Sequence, residues 1–349
     1  MRRSIPLAVT LVACRPTDGG TAPTTSVDAP TPQPVVAAPA PIASAPVEPA
    51  PPAKPIDDTP KLPDGTAIAP CEEAPANMSC VSGGPFVRGS DDGPENARPA
   101  ATIAVQTFYM DQYEVTIAEY KACVKSGECR KGGPFYPDFS RPHQPIVGMN
   151  WFGAREFCTS RGKSLPTEAQ WEKAARGEQG TKYAWGDEPA TCRRAVIRDK
   201  KGRSCGIPMN RSSEPYKGRT FVVGSRPAGA YGLFDMTGNA WEYVADWYTE
   251  SWSACGDACS GVDPKGPCGG ADECPGFDHK LVKGGSWYWG PDYATSYYRR
   301  PQPPSNSPFH HFGFRCAASV DQAAALRGKP RDPLAPVPGE RNEDAQRGL

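Results

Sequence analysis

The sequence of 349 residues contains no long apolar run and carries no formal net charge. Its one strongly apolar stretch, residues 5–13, is far shorter than the roughly 20 residues that a membrane-spanning helix needs. Because 39 Lys and Arg balance 39 Asp and Glu, the charge gives no reason to expect nucleic acid or an acidic surface as partner. The sequence also lacks a complete G-x-x-x-x-G-K-S/T phosphate loop and a G-x-S-x-G motif, so nucleotide hydrolysis and esterase chemistry have no support.

Histidine is scarce, with four residues in the chain: His143, His279, His310 and His311. A non-haem iron centre takes two histidines and a carboxylate. His310 and His311 are adjacent, so on an extended segment their side chains would point to opposite faces. We therefore expect the histidines to lie on the surface or to line a groove, and not to hold iron.

Residues 1–13 have the layout of a bacterial signal peptide, with Arg2 and Arg3 before a short apolar segment. The segment ends in Leu11-Val-Ala-Cys14, which resembles a lipobox. This ending predicts a mature chain that begins at a lipidated Cys14 and is held on a membrane by its acyl chains. An ordinary cleaved signal with a chance cysteine is the alternative. Arg15 is not an acidic retention signal, so we expect the cell envelope, at the outer membrane or surface in preference to the inner membrane.

Proline, of which there are 41, is spread unevenly and marks the ends of the folded region. Residues 14–70 are rich in Pro and Ala and have almost no aromatics, so they cannot bury enough apolar area to fold and predict a disordered, semi-rigid spacer. Residues 321–349 are polar with several prolines and predict a disordered tail. One folded domain, residues 71–320, remains.

Twelve of the 13 cysteines lie between Cys71 and Cys316, and an even number in an exported domain indicates disulfides. Close spacing favours three local bridges: Cys71 with Cys80, Cys123 with Cys129, and Cys192 with Cys205. Four more, in a Gly/Pro-rich insertion, are expected to pair among themselves: Cys255, Cys259, Cys268 and Cys274. Four clustered cysteines could instead hold zinc, but they do not form two C-x-x-C pairs and the compartment is oxidising, so we favour disulfides.

Three helix starts can be read from local signals. Thr116-Ile-Ala-Glu119 and Thr167-Glu-Ala-Gln170 are capping boxes, and Asn150 can cap a further helix. Gly177 is placed to end the helix that Thr167 begins. The remainder is short apolar runs broken by Gly, Pro and Asp. From the residues alone, the fold class is a disulfide-rich α+β domain of about 250 residues with little regular secondary structure.

Seven separated blocks resemble the formylglycine-generating-enzyme, or sulfatase-modifying-factor, family in the family's own order. The blocks are Gly84-Pro-Phe-Val-Arg-Gly-Ser90, Phe108-Tyr-Met-Asp-Gln-Tyr-Glu-Val-Thr116, Pro145-Ile-Val-Gly-Met-Asn-Trp151, Gly162-Lys-Ser-Leu-Pro-Thr-Glu-Ala-Gln-Trp171, Gly229-Ala-Tyr-Gly-Leu-Phe-Asp-Met-Thr-Gly-Asn-Ala-Trp-Glu-Tyr243, Lys283-Gly-Gly-Ser-Trp287 and Gly313-Phe-Arg-Cys-Ala317. The resemblance implies a mixed α+β fold related to C-type lectins. It also implies a long-range disulfide between Cys158 and Cys316.

The resemblance further implies one calcium site. The family's ligand positions match Asp235, Gly238, Ala240 and Glu242, which would supply two carboxylates and two main-chain carbonyls, donors that suit calcium. The alternative is a capped turn whose carboxylates bind backbone N–H groups. The family's second calcium site is expected to be lost, because its asparagine position falls on Ala195.

The catalytic positions of the family are replaced in this sequence. The family oxidises a substrate cysteine to formylglycine with copper(I) bound by two cysteines, and thiolates are the ligands that select this soft ion. The two positions fall on Trp289 and Ala294, so we expect neither copper nor a catalytic residue. What remains of the family's substrate cleft is rich in aromatics and arginine, which often mark binding surfaces: Trp287, Trp289, Tyr293, Tyr297 and Arg299. The alternative is that most of these residues are core.

Three functions are compatible with the sequence. The replaced cysteines favour a non-catalytic lipoprotein whose groove binds a peptide, protein or glycan. The fold favours a divergent oxidase of sulfatase maturation, or one acting on another exported substrate. The spacer and disulfides also allow a structural envelope protein. Whether the chain is an enzyme stays open, with the balance against catalysis.

Overall fold

The computed structural model describes residues 59–134, 137–207, 218–305, 309–337 and 344–347. The chain from Asp57 onward forms one compact unit. The expected signal peptide, the expected lipidation site Cys14 and most of the expected spacer lie outside the described residues. In the parts that are described, no helix is long and apolar enough to cross a membrane.

Five helices and nine strands organise the described chain. The helices are α1 (Ile117–Ser126), α2 (Trp151–Ser160), α3 (Glu168–Arg176), α4 (Trp252–Cys255) and α5 (Val320–Leu326). The strands are β1 (Met78–Val81), β2 (Gly84–Arg88), β3 (Ala101–Val105), β4 (Phe108–Asp111), β5 (Trp241–Trp247), β6 (Lys280–Lys283), β7 (Arg300–Gln302), β8 (Phe312–Gly313) and β9 (Ala317–Ser319). Short 3-10 turns and loops connect them, as expected for an α+β domain with little regular structure.

The strands form three small sheets. One has the order β1-β4-β9, a second is the hairpin β2-β3, and the third has the order β7-β6-β5-β8. All pairs are antiparallel except β5 with β8. The third sheet positions the site described below, because the connection from β6 to β7 carries residues 284–299.

All three predicted helix starts are confirmed. Thr116 and Thr167 each accept a hydrogen bond from the backbone N–H three residues on, and the Glu119 and Gln170 side chains close the two capping boxes. Asn150 caps α2 through the Gly153 N–H at 2.9 Å. Each cap satisfies N–H groups that have no partner within the helix.

Six disulfides cross-link the described chain. Five close short loops: Cys71–Cys80, Cys123–Cys129, Cys192–Cys205, Cys255–Cys259 and Cys268–Cys274. The sixth joins Cys158 on α2 to Cys316, 158 residues further along the chain. The insertion cysteines therefore pair among themselves in two small loops, and the long bridge implied by the family resemblance is present.

Both expected boundaries of the folded domain need correction. Leu62, inside the expected spacer, is buried, so the packed region begins before residue 71. The expected tail, residues 321–349, holds α5, which Ser319 caps, and further on Asp344 is fully buried. Asp344 accepts from Arg141 at 2.6 Å and from the Val222 N–H at 2.9 Å. A local cap and a buried carboxylate thus hold segments that composition alone marks as unpacked.

A buried ionic network lies beneath the connection between β6 and β7. On α3, Glu172 binds Lys283 at 3.1 Å and Arg176 at 3.0 Å, and Glu168 binds Arg299 at 2.8 Å. All five side chains are at most 6% exposed. Lys283 ends β6 and Arg299 precedes β7, so α3 fixes both ends of the connection.

Candidate functional site

The connection from β6 to β7 folds back on itself at two glycines. Gly284 and Gly285 have positive φ angles of 91° and 80°. A Cβ at position 285 would lie 2.7 Å from the Cα of Ala294, so only glycine permits this approach. Ala294 is fully buried, and Trp289 stands half-buried nearby. The two positions at which the resemblance places the family's copper cysteines are therefore filled by a packed methyl group and an indole.

Three of the predicted groove residues belong to the interior, which corrects the prediction for them. Trp287 is fully buried and its Nε1 donates to the His310 carbonyl at 3.2 Å. Arg299 is 1% exposed and binds both oxygens of Glu168. Tyr297 is 6% exposed, beneath the Arg176 guanidinium. Packing against residues far away in the chain, which the sequence does not display, accounts for their burial.

Four half-buried rings form a continuous row at the surface, which we call the aromatic row: Tyr288, Trp289, Tyr293 and Tyr298. Adjacent ring centroids lie 4.9 Å, 5.1 Å and 5.2 Å apart. The row contains the two predicted groove residues that remain exposed, Trp289 and Tyr293. The row therefore places four partly exposed rings on one short segment of chain.

Two arginines flank the aromatic row without a carboxylate partner in the described structure. The Arg203 guanidinium lies 3.6 Å from the ring centre of Tyr288 and donates to the Tyr288 hydroxyl at 2.6 Å. Arg300 lies 5.1 Å from the ring centre of Trp289 and 5.6 Å from that of Trp241. Burial lowers the pKa of Arg300. Arg203 begins an irregular 3-10 turn, Arg203–Gly206, which carries no recognisable motif, so the sequence did not single it out.

Two histidines lie under the row, where the sequence predicted surface or groove-lining side chains. His310 is 3% exposed and His311 is 8% exposed, with their ring centroids 5.3 Å apart. Burial lowers the pKa of His310 to about 4 and that of His311 to about 3. The expectation of opposite faces assumed an extended segment, whereas these residues form a turn before β8. Both rings are therefore neutral parts of the core at neutral pH.

The described residues provide little for a soft metal. All twelve cysteines between Cys71 and Cys316 are in disulfides. No group of three or more His, Cys, Asp or Glu side chains within the described ranges is arranged to hold a metal ion.

The predicted calcium ligands surround a buried group of carboxylates. Asp235 has one oxygen accepting from the Gly224 N–H at 2.6 Å, while its buried Oδ1 has no partner in the structure. Glu114, which the sequence reasoning missed, accepts from the Ala240 N–H at 2.9 Å. Burial raises the pKa of Glu114, and it raises that of Asp235 to about 6. The unpartnered Asp235 oxygen fits a hard cation.

Glu242 fits a cation less well than Asp235. Its two oxygens accept from Arg315 at 2.8 Å and 2.7 Å, and one of them also accepts from Trp171 at 2.8 Å. In this arrangement Arg315 supplies the positive charge that a metal would bring. Of the two predicted carboxylate ligands, Asp235 thus has an oxygen without a partner, whereas both oxygens of Glu242 already accept hydrogen bonds from Arg315. Gly238 and Ala240 lie on the turn between them, with Gly238 at a φ of 85°.

Comparison with known proteins gives consistent matches to one family. The family described as the sulfatase-modifying factor enzyme 1-like domain matches residues 66–320. Formylglycine-generating enzyme of Bos taurus is 30% identical and covers 70% of this chain and 75% of that protein. Formylglycine-generating enzyme of Thermomonospora curvata is 29% identical, and the match covers 71% of this chain and 95% of that protein. Inactive C-alpha-formylglycine-generating enzyme 2 of Mus musculus is 25% identical, covering 74% and 88%.

Two solved structures share the fold. PvdO from Pseudomonas aeruginosa has a TM-score of 0.53 at 22% identity, covering 70% of this chain and 94% of that one. Treponema denticola variable protein 1 has a TM-score of 0.54 at 19% identity, covering 72% and 100%. The expected formylglycine-generating-enzyme-like fold is confirmed. This chain belongs to the sulfatase-modifying factor enzyme 1-like family, which includes the formylglycine-generating enzymes.

Proposed function

We propose that this chain is a non-catalytic recognition module of an exported lipoprotein, and that the aromatic row is its ligand-binding surface. The proposal rests on one observation: Trp289 and Ala294 occupy the two positions that correspond to the family's copper cysteines. An indole and a methyl group cannot supply the thiolate pair that copper(I) requires. A mouse relative with the word inactive in its name is in keeping with a family that has non-catalytic members.

The shape of the site supports binding in place of oxidation. In an oxidase, the volume beside the two cysteines must admit oxygen and a substrate thiol. Here the Trp289 ring packs against Tyr288 and Tyr293, while Ala294 is pressed against Gly285. The exposed parts of these rings provide apolar contact area that a peptide, protein or glycan can cover.

An oxidase assay separates this proposal from the enzymatic alternative. Full-length protein is given copper(I), oxygen and a peptide with a Cys-x-Pro-x-Arg motif, and mass spectrometry follows conversion of cysteine to formylglycine. An active formylglycine-generating enzyme run in parallel is the positive control. We expect no conversion by folded protein. Copper-dependent conversion would refute the non-catalytic proposal.

The binding half of the proposal has a separate test. Wild-type protein and Trp289→Ala are applied to peptide and glycan arrays. Trp185→Ala is the matched control, because Trp185 is another half-buried indole that stacks on Tyr183 and is not one of the four rings of the row. Ligands retained by the wild type and the control but lost by Trp289→Ala support the aromatic row. Equal retention of the ligands by all three proteins would show that the aromatic row is not the binding surface.

Attachment to the cell envelope through Cys14 belongs to the same proposal and rests on residues 1–14 of the sequence. Metabolic labelling with a radioactive fatty acid, followed by fractionation, tests it. We expect label in the wild-type protein and none in Cys14→Ala. Equal labelling of both proteins, or label in neither, contradicts lipidation at this residue.

We also propose that the turn at Asp235 binds one calcium ion. Asp235 would hold the ion with carbonyl groups of Gly238 and Ala240, and calcium would there neutralise part of a buried negative cluster. Glu242 would join only if Arg315 released one of its oxygens. The ion would have a structural role, since its ligands lie on a buried turn.

A further inference from the structure

Resting on the proposed function, we infer that the aromatic row binds an acidic saccharide whose carboxylates are taken by Arg300 and Arg203. The starting observation is an imbalance of charge. Both guanidiniums lie against aromatic rings, and neither has an ion-pair partner within the described chain. A guanidinium held partly out of water gains most from an anion that can accept two of its N–H groups.

Arg300 is the more confined of the two cations. It is half-buried, and Trp241, Trp289 and Phe312 surround it with ring centres 5.1 to 5.8 Å from its central carbon. Burial lowers the pKa of Arg300, and two tyrosines partly oppose this effect. No carboxylate contributes to it. Elsewhere in this fold, buried arginines such as Arg299 and Arg315 are neutralised by glutamates.

His311 links the two cations through space. Both Arg300 and Arg203 lower its pKa, after the larger effects of burial and of His310. Its ring centroid lies 5.7 Å from that of Tyr288. Both guanidiniums are therefore near enough to one buried ring for their charges to act on it, and we take them to act on one ligand.

The nearest acidic residue on the connecting segment does not offset this charge. Asp292 is exposed, and it acts on Tyr183, whose pKa it helps to raise after the larger effect of burial. The two guanidiniums beside the row are therefore not paired with a carboxylate of the described chain.

The neighbouring edge strand favours a saccharide over a peptide. A peptide that extends a sheet needs main-chain N–H and C=O groups on the edge strand. The edge strand here is β7, whose middle residue is Pro301, and Pro303 and Pro304 follow. Proline has no N–H and blocks such pairing. Ring faces stack on sugar rings without any main-chain pairing.

The test uses calorimetric titration of full-length protein with oligogalacturonate of about ten units, a chain of uronic acids. The same oligomer with its carboxylates methyl-esterified removes the charge and keeps the sugar. Polyglutamate of equal charge represents the acidic peptide. We expect binding of the acid, at least tenfold weaker binding of the ester, and weak or no binding of polyglutamate.

Variants locate the site. Arg300→Gln and Arg203→Gln are each expected to weaken binding of oligogalacturonate at least tenfold. Arg194→Gln is the matched control, because Arg194 also lies over an indole, that of Trp185 at 5.7 Å, but is paired with Glu188 at 2.6 Å. It should stay within twofold of the wild type.

Each other outcome overturns the inference. If the acid and the ester bind equally well, the carboxylates have no role in recognition. If polyglutamate binds as well as the acid, the site is not specific for a saccharide. No binding of the acid by folded wild-type protein refutes the whole inference, and this comparison needs no variant that folds. None of these results bears on catalysis, whereas formylglycine formation in the oxidase assay would refute the proposed function directly.

Discussion

Arg315 holds both carboxylate oxygens of Glu242, at 2.8 Å and 2.7 Å, with neither side chain more than 1% exposed. The same guanidinium donates to the Phe234 carbonyl at 2.7 Å. Glu114 and Asp235 lie close enough for their charges to act on Arg315. One cation therefore stabilises three buried carboxyl groups, which come from the turn before β5, from β5 itself and from the segment before α1.

Removing this cation is expected to be costly. Arg315→Met should lower the free energy of unfolding by about 3 to 5 kcal/mol, because it leaves an uncompensated buried charge. Arg130→Met is the control: Arg130 binds Glu156 at 2.7 Å but is 50% exposed, and such pairs contribute about 0 to 1 kcal/mol. Urea unfolding followed by tryptophan fluorescence measures both. A loss below about 1 kcal/mol for Arg315→Met would contradict the role given to this pair.

The Cys158–Cys316 disulfide should dominate the covalent contribution to stability. In the chain-entropy model, closing a loop of 158 residues restricts the unfolded chain by about 5 kcal/mol, and a loop of 4 residues by about 2 kcal/mol. We expect the double variant Cys158→Ala/Cys316→Ala to lose more stability than Cys255→Ala/Cys259→Ala. Thermal unfolding of both double variants checks the order, and equal losses would show that loop length is not what matters here.

The contribution of His311 to stability should fall as the pH drops below about 6.5. Burial lowers its folded-state pKa to about 3, below the unfolded value of about 6.5, so the unfolded chain binds the proton first. Its contribution is complete above pH 6.5 and is lost as the pH falls towards 3. At pH 5 the loss is about 2 kcal/mol, at 1.36 kcal/mol for each pH unit.

The variant His311→Phe separates the effect of protonation on stability from the effect of side-chain packing. The difference in unfolding free energy between variant and wild type at pH 7.5 gives the packing change alone. We expect the variant to gain about 2 kcal/mol relative to that baseline at pH 5. A difference that does not change between the two pH values would mean that His311 titrates normally in the folded protein.

Calcium should stabilise the wild-type protein through Asp235. With a dissociation constant of about 0.1 to 1 mM, as in extracellular modules, 10 mM calcium would add about 1.4 to 2.7 kcal/mol. The melting temperature should rise with calcium, return with chelator, and respond little to magnesium. Asp235→Ala should abolish the shift, and the exposed Asp292→Ala should keep it. A calcium-dependent shift that survives in Asp235→Ala would place the ion elsewhere.

Local features of this protein could be predicted from the sequence because their causes are local. The Thr116 and Thr167 capping boxes are decided within four residues, and the short disulfides within at most 13. Family resemblance added the bridge between Cys158 and Cys316, which no spacing argument could select. Both kinds of prediction agree with the structure.

The candidate site was harder to predict because burial depends on distant partners. Arg299 is buried by Glu168, 131 residues earlier, and Arg203 reaches Tyr288 across 85 residues. A sequence shows an aromatic and arginine-rich segment but not which of its side chains face inward. The prediction of a disordered C-terminal segment was wrong for the same reason, since Asp344 is held by an ion pair with the distant Arg141.

The arrangement of the six disulfides also decides what a protease could release. Five of them span 4 to 13 residues, while the bond between Cys158 and Cys316 encloses β5, β6, β7 and β8. A single cut anywhere between these two cysteines leaves both fragments covalently attached, and they separate only after reduction. A nicked molecule would therefore run as one band without reductant and as two bands with it, and it would keep the aromatic row tethered to the rest of the domain.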